Sequence, residues 1–158
     1  MAISTLNPNT VLEMRRTIRT TREKAFAAWT IPSQLKQWFA VGEGFTTPIA
    51  EVELKVGGKY RLGMKAPGDN PLLIVGGIYQ EILPPERLVF TWQWESTDPN
   101  EPQTLVTVEF YEGAGVTEIL LKHELFADTT QRDKHGEGWA GCLDHLEQLL
   151  ERYYNISR

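Results

Sequence analysis

The hydrophobic period of this chain changes near residue 128. From Ala50 to Leu125, apolar residues recur at every second position in short runs broken by glycine, proline and acidic turns. From about Thr129 they recur at every third and fourth position. A period of two marks half-buried strands, and a period near 3.6 marks an amphipathic helix. Strands with one apolar face need a cover, and the terminal helix is the only segment long enough to supply it. The pattern therefore predicts an α+β domain. A curved antiparallel sheet wraps around a long C-terminal helix, with two short helices after the first strand.

A length of 158 residues suits one domain. Residues 1–9 read as a tail and residues 10–158 as the domain. Lys plus Arg is 16 against 21 Asp plus Glu, a net charge of -5, which excludes the basic face of a nucleic-acid binder. With 41% apolar and 23% charged residues the chain is too hydrophobic to be disordered. The single cysteine, Cys142, leaves no internal disulfide and suits a reducing compartment. Met1 to Thr10 shows no charged n-region or apolar h-region, and no apolar run approaches ~18 residues. The expectation is a cytoplasmic protein with no membrane span, monomeric or a homodimer through its edge strands.

The first strand carries Leu12, Met14 and Ile18 on one face, with Arg16 as a charged exception. Thr20 and Glu23 form a capping-box pattern opening a helix through Trp29. Pro32 ends it and starts a second helix burying Leu35, Trp38 and Phe39. Gly42 to Pro48 reads as a loop. A three-residue turn, Val56-Gly57-Gly58, with Gly58 left-handed, would set Leu54 opposite Tyr60 and Val52 opposite Leu62, with Met64 further along the same face. Ile78, Gln80 and Ile82 share a face with Leu88, Phe90, Trp92 and Trp94 if the Pro84-Pro85 loop has an odd length. A two-residue turn at Gly113-Ala114 would align Phe110 with Thr117, Val108 with Ile119, and Val106 with Leu121, which puts His123 in the same row. Glu95 to Gln103 reads as a solvated connection. Trp139, Cys142, Leu143, Leu146, Leu149, Leu150 and Tyr153 form the core-facing stripe of the last helix.

Several local patterns come in a recognisable order. They are Arg16-Thr17-Ile18 leading to Phe26, Trp29-Thr30-Ile31-Pro32, Trp38-Phe39 and Val56-Gly57-Gly58-Lys59-Tyr60. Gly77 to Ile82, Pro85-Glu86-Arg87-Leu88, Thr91-Trp92, Thr117 to His123 and Gly138-Trp139 follow. In that order the chain, from about Leu12 to Leu150, resembles the START/polyketide-cyclase-like helix-grip superfamily, which includes the birch-pollen-allergen type. Within it the chain is similar to the heat-shock protein 90 ATPase activator homologue family. The resemblance implies a pocket between sheet and long helix for a small apolar or amphipathic molecule. It also implies two alternatives, a co-chaperone-type interaction module and a polyketide cyclase or hydratase.

Residue chemistry narrows these readings. His135 and His145 stand ten positions apart, about 80° on a helix, and no Cys pair, His-Glu-x-x-His run or acidic loop accompanies them, so no metal site is expected. No Gly-x-Ser-x-Gly elbow or phosphate loop occurs, and no cofactor is implied. Cys142 on the apolar helix face reads as a small hydrophobe. Arg16, Gln80 and His123 interrupt apolar rows, and each needs a buried partner or a polar group on a ligand. The expected binding set is Arg16, Gln80 and His123 with walls from Leu54, Tyr60, Met64, Phe90, Trp92, Val108, Ile119, Trp139 and Leu143.

Overall fold

The computed structural model describes residues 10–95 and 103–156, with backbone alone for the last four. The tail at residues 1–9, most of the Glu95–Gln103 connection and the Tyr153 side chain lie outside the described residues. The elements run β1 (Leu12–Ile18), α1 (Arg22–Thr30), α2 (Pro32–Trp38), β2 (Thr46–Val52), β3 (Lys59–Lys65), β4 (Leu72–Leu83), β5 (Arg87–Trp94), β6 (Thr104–Gly113), β7 (Val116–Glu124) and α3 (Thr129–Ile156). The strands form one seven-stranded sheet in the order β1-β7-β6-β5-β4-β3-β2, antiparallel throughout. β1 crosses from the start of the chain to pair with the last strand, so β1 and β2 are the two edges. The predicted α+β architecture is the one observed.

The inner faces of the strands and the apolar stripe of α3 make one core. Val106, Val108, Phe110, Ile119 and Leu121 from the sheet meet Leu143, Leu146, Leu149 and Leu150 from the helix, all fully or nearly buried. Fully burying a Val, Leu, Ile or Phe side chain contributes about 1.5–3 kcal/mol, which makes this seam the main source of stability.

Local details depart from the sequence expectations in five places. The cap of α1 is Thr21, whose hydroxyl accepts from Lys24 N at 3.2 Å; Thr20 is instead drawn into the sheet, where its carbonyl accepts from Thr117 Oγ1 at 2.9 Å. β2 begins inside the expected loop. Pro48 is tolerated there because β2 is an edge strand and its pairing is interrupted between Thr46 and Ile49.

The β2–β3 register differs by two. Val52 faces Tyr60, Glu51 faces Arg61 and Ala50 faces Leu62. The turn is longer than expected because Gly57 N donates to Tyr79 O at 2.8 Å and Tyr79 N donates to Gly58 O at 2.9 Å. That docking on β4 holds residues 53–58 off the ladder and leaves Leu54 45% exposed. Gly57, not Gly58, is left-handed, at φ +87°; Gly58 is needed because a Cβ there would lie 2.1 Å from Glu53 O.

The β6–β7 turn is Ala114-Gly115, with φ of 55° and 81°, both positive as a type I′ turn requires. Phe110 therefore faces Ile119, Val108 faces Leu121 and Val106 faces His123. The β4–β5 loop does have an odd length, with Leu83 opposite Arg87, but a bulge lies between Tyr79 and Glu81. The bulge adds one residue, turns Tyr79 inward to 3% exposure and leaves Gln80 exposed.

Candidate functional site

The N-terminal half of α3 does not close fully on the sheet. A cleft of about 440 Å³ remains, with Phe39, Val41, Met64, Trp92, Trp94, Trp139 and Cys142 as walls and Gln131, Lys134, His135, Glu137 and Gly138 along the helix side. Gln131, Lys134, His135, Gly138 and Cys142 follow three- and four-residue steps. They continue the buried stripe of α3 towards its N-terminus, where it becomes polar.

The wall opposite is the segment after α2, held in place by backbone contacts. Phe39 O accepts from Thr47 Oγ1, and Ala40 O accepts from His145 Nδ1 at 2.8 Å. Gly141 lets Val41 lie directly on the helix, since a Cβ there would come 2.1 Å from Val41 O. The Cys142 thiol is pushed up to about 12 by burial, with its backbone contact to Ala40 a smaller opposing influence, so it stays protonated and unreactive.

All five tryptophans of the chain gather around this region. Ring centroids run 4.7 Å from Trp38 to Trp29, 5.7 Å from Trp29 to Trp139, 5.1 Å from Trp139 to Trp92, and 5.6 Å from Trp92 to Trp94. These distances fall in the range of favourable edge and tilted contacts. Trp92 and Trp94, which share a strand face in the sequence pattern, thus meet Trp139 of the α3 stripe.

His123 sits behind this wall and is fully buried. Its Nδ1 lies 3.0 Å from Trp139 Nε1, and indole N–H only donates, so Nδ1 is the acceptor. The ring proton is therefore on Nε2, which donates to Thr104 Oγ1 at 2.8 Å; that hydroxyl donates on to Trp92 O at 3.1 Å. Phe126 and His135 pack against the ring at 4.3 and 5.2 Å. Every polar atom of the imidazole is engaged, and its role is to hold Trp139 and β6 together. Burial, with a smaller contribution from His135, drives its pKa well below the usual histidine value.

This has a pH consequence. Below about pH 6.5 the unfolded chain protonates His123 while the native chain resists, so stability falls as pH falls, by at most about 1.4 kcal/mol per pH unit for this group. Above that pH the residue contributes no slope. Urea unfolding of the wild type and His123→Gln between pH 5.5 and 7.5 should give stability curves that converge as pH drops. Parallel curves would contradict it.

The remaining expected site residues separate into groups. Met64, Trp92 and Trp139 line the open cleft. Tyr60 and Phe90 border a smaller void behind it. Val108, Ile119 and Leu143 are buried in the core seam and touch neither space. Arg16 does point from β1 towards α3, but there its guanidinium meets Asp144 at 2.6 Å and Glu147 at 3.8 Å. Leu54 and Gln80 face solvent, for the register reasons given above. Phe39, Val41, His135 and Gln131 were not among the expected contacts. The signal for the last two was the polar upstream extension of the α3 stripe. Among the described residues no three His, Cys, Asp or Glu side chains converge as a metal site would require, and no helix is long and apolar enough to cross a membrane.

A curved antiparallel sheet holding a long C-terminal helix, with a cleft between them, is the helix-grip architecture. The chain belongs to the activator of Hsp90 ATPase homolog 1-like family, whose sequence profile matches residues 19–151. It is similar in structure to a protein of Chromobacterium violaceum, at 25% identity and a TM-score of 0.81, covering 92% of this chain and 99% of that one. It is also similar to a Rhodobacter sphaeroides protein, at 26% identity and a TM-score of 0.76 over 94% and 98% of the two chains. A family member from Silicibacter pomeroyi shares the fold at 24% identity and a TM-score of 0.79, over 90% and 99%. No curated protein matches the sequence.

Proposed function

We propose that this protein binds a small hydrophobic or amphipathic molecule in the cleft between α3 and the sheet. The observation that carries the reading is the cleft itself. Its volume of about 440 Å³ lies within the ~300–1,000 Å³ typical of small-molecule sites, and aromatic walls meet a polar edge. The apolar body of a ligand would replace water against Phe39, Met64, Trp92 and Trp139. Lys134, Gln131 and Glu137 at the edge would face its polar end. Binding rather than turnover is favoured because His123, the buried group best suited to move a proton, has both ring nitrogens engaged and is sealed from the cleft by its neighbours. A reducing, cytoplasmic setting is part of the same reading, supported by one buried free thiol.

The test uses 1-anilinonaphthalene-8-sulfonate, whose fused rings suit the walls and whose sulfonate suits Lys134. The native protein should bind it with enhanced dye fluorescence. Val41→Trp, which fills the cleft from the side, should weaken binding at least about tenfold, equivalent to about 1.4 kcal/mol. Leu83→Trp, on a position 48% exposed and outside the cleft, should leave it unchanged. Absence of binding, or equal weakening by both variants, would overturn the reading.

A further inference from the structure

The cleft ends at an aromatic partition. Phe39, Trp92 and Trp139 border both the open cleft and an inner void of about 20 Å³. Their ring centroids stand 6.1 Å (Phe39 to Trp92), 6.3 Å (Phe39 to Trp139) and 5.1 Å (Trp92 to Trp139) apart. Trp29 borders the same inner void.

The indole donors divide into two groups. Trp38 donates to Ala28 O at 2.8 Å, Trp94 to His135 Nε2 at 3.0 Å and Trp139 to His123 Nδ1 at 3.0 Å. Trp29 and Trp92 are 4% and 5% exposed, and among the described residues neither Nε1 has a hydrogen-bond partner. Both of these residues border the inner void. Tyr60, which borders it too, has its hydroxyl proton engaged by Thr91 O at 2.6 Å. Buried donors are almost always paired, so two unpartnered indoles on residues that border one void call for an acceptor that the described residues do not supply.

We propose that the inner void is an acceptor subsite. It takes a single oxygen, a carbonyl foremost, projecting from a flat apolar ligand in the cleft, and the indole N–H groups of Trp92 and Trp29 donate to it. This rests on the ligand-binding reading and adds the ligand's chemistry. The sizes agree: a void needs roughly 10–15 Å³ to hold one water, so about 20 Å³ admits one oxygen atom and excludes a ring. The ring system then stays in the cleft against Trp92 and Trp139. A ligand leading with an amino group would set N–H against N–H and leave all the donors unmet.

The experiment compares 9-fluorenone with fluorene, which share a fused-ring skeleton and differ at one carbon by a carbonyl oxygen. Binding to the full chain is followed through the indole resonances of ¹⁵N-labelled protein, assigned with Trp29→Phe and Trp92→Phe. Fluorenone should bind about five- to tenfold more tightly, as one buried hydrogen bond provides, and should move the Trp92 and Trp29 indole signals downfield. Trp92→Phe keeps a ring and removes one of the two donors, and should reduce the preference; adding Trp29→Phe removes both and should bring it below about twofold. Equal binding with unmoved Trp29 and Trp92 signals would overturn the acceptor subsite and leave cleft binding standing; so would a single trapped water in the void, which gives that same result. Failure of both compounds to bind would overturn both. If Trp92→Phe does not fold, the wild-type indole shifts decide.

Discussion

Replacing His123 by alanine should lower stability by about 3–5 kcal/mol, among the larger effects of a single substitution. Three costs combine. The ring is fully buried, so its removal leaves a cavity beside Phe126 and Trp92 that the surrounding strands cannot close. Trp139 Nε1 loses its acceptor among the described residues, and a buried donor left unpaired costs about 1–3 kcal/mol. Thr104 Oγ1 loses its donor and keeps only its bond to Trp92 O. Urea unfolding followed by far-UV circular dichroism measures the loss without depending on tryptophan signals. Trp139→Phe removes the orphaned donor in advance, so the double variant should cost less than the two single variants together. Additive costs, or a loss below about 1 kcal/mol for His123→Ala, would contradict the role assigned to this histidine.

Gly141→Ala should destabilise the protein by about 2 kcal/mol or more, although alanine is the better helix former. Intrinsic propensity favours the substitution by about 1 kcal/mol. Against it stands a Cβ 2.1 Å from Val41 O and 2.8 Å from Val41 C. Both atoms are backbone, so no side chain can rotate away. Residues 39–42 must lift off α3, which strains the bonds from Thr47 to Phe39 O and from His145 to Ala40 O. Overpacking of this kind costs about 1–3 kcal/mol and here also costs the docking it disturbs. The midpoint of thermal unfolding should fall by about 4–8 °C. Gly136→Ala is the control. Its Cβ would meet Leu12 Cδ1 at 3.3 Å and Cδ2 at 3.9 Å, the end of one side chain, so helix propensity should prevail and stability should hold or rise. Should the two substitutions behave alike, the close approach at Gly141 is not what shapes this wall of the cleft. Val41 and Phe39 line the cleft, so Gly141→Ala should also alter dye binding where Gly136→Ala does not.

The inward and outward faces were legible in the sequence where strand pairing kept its parity. The β2–β3 and β6–β7 registers each differ from expectation by two residues, and a slip of two preserves which side chains face inward. Tyr60, Leu62, Met64, Val106, Val108 and Phe110 are accordingly all buried. The bulge at Tyr79–Glu81 is a slip of one, and it alone reverses a face, exchanging Gln80 for Tyr79. Nothing in the alternation of that strand announces it, because Ile78, Gln80 and Ile82 keep an uninterrupted period. Leu54 fails for a different reason. Its strand ends early because a glycine pair docks on a neighbouring strand, a contact between segments more than twenty residues apart.

The candidate site was legible only in part, for a related physical reason. A polar residue in an apolar row says that a partner exists and does not say which. Arg16 found carboxylates on α3, and His123 found an indole and a hydroxyl. The orphan donors that most constrain a ligand, Trp29 and Trp92, look in the sequence like any other core aromatics.

What the chain's residue pattern settled by itself was the alternation that sorts side chains between core and solvent, the order of strands and helices, and the need for a terminal helix to cover the sheet. Those follow from local geometry and the cost of leaving apolar surface in water. The tertiary structure alone decided where the cover stops fitting. That depends on how closely two backbones approach at Gly141 and Val41 and on which buried donors find acceptors, and these are distances between segments that no local period encodes.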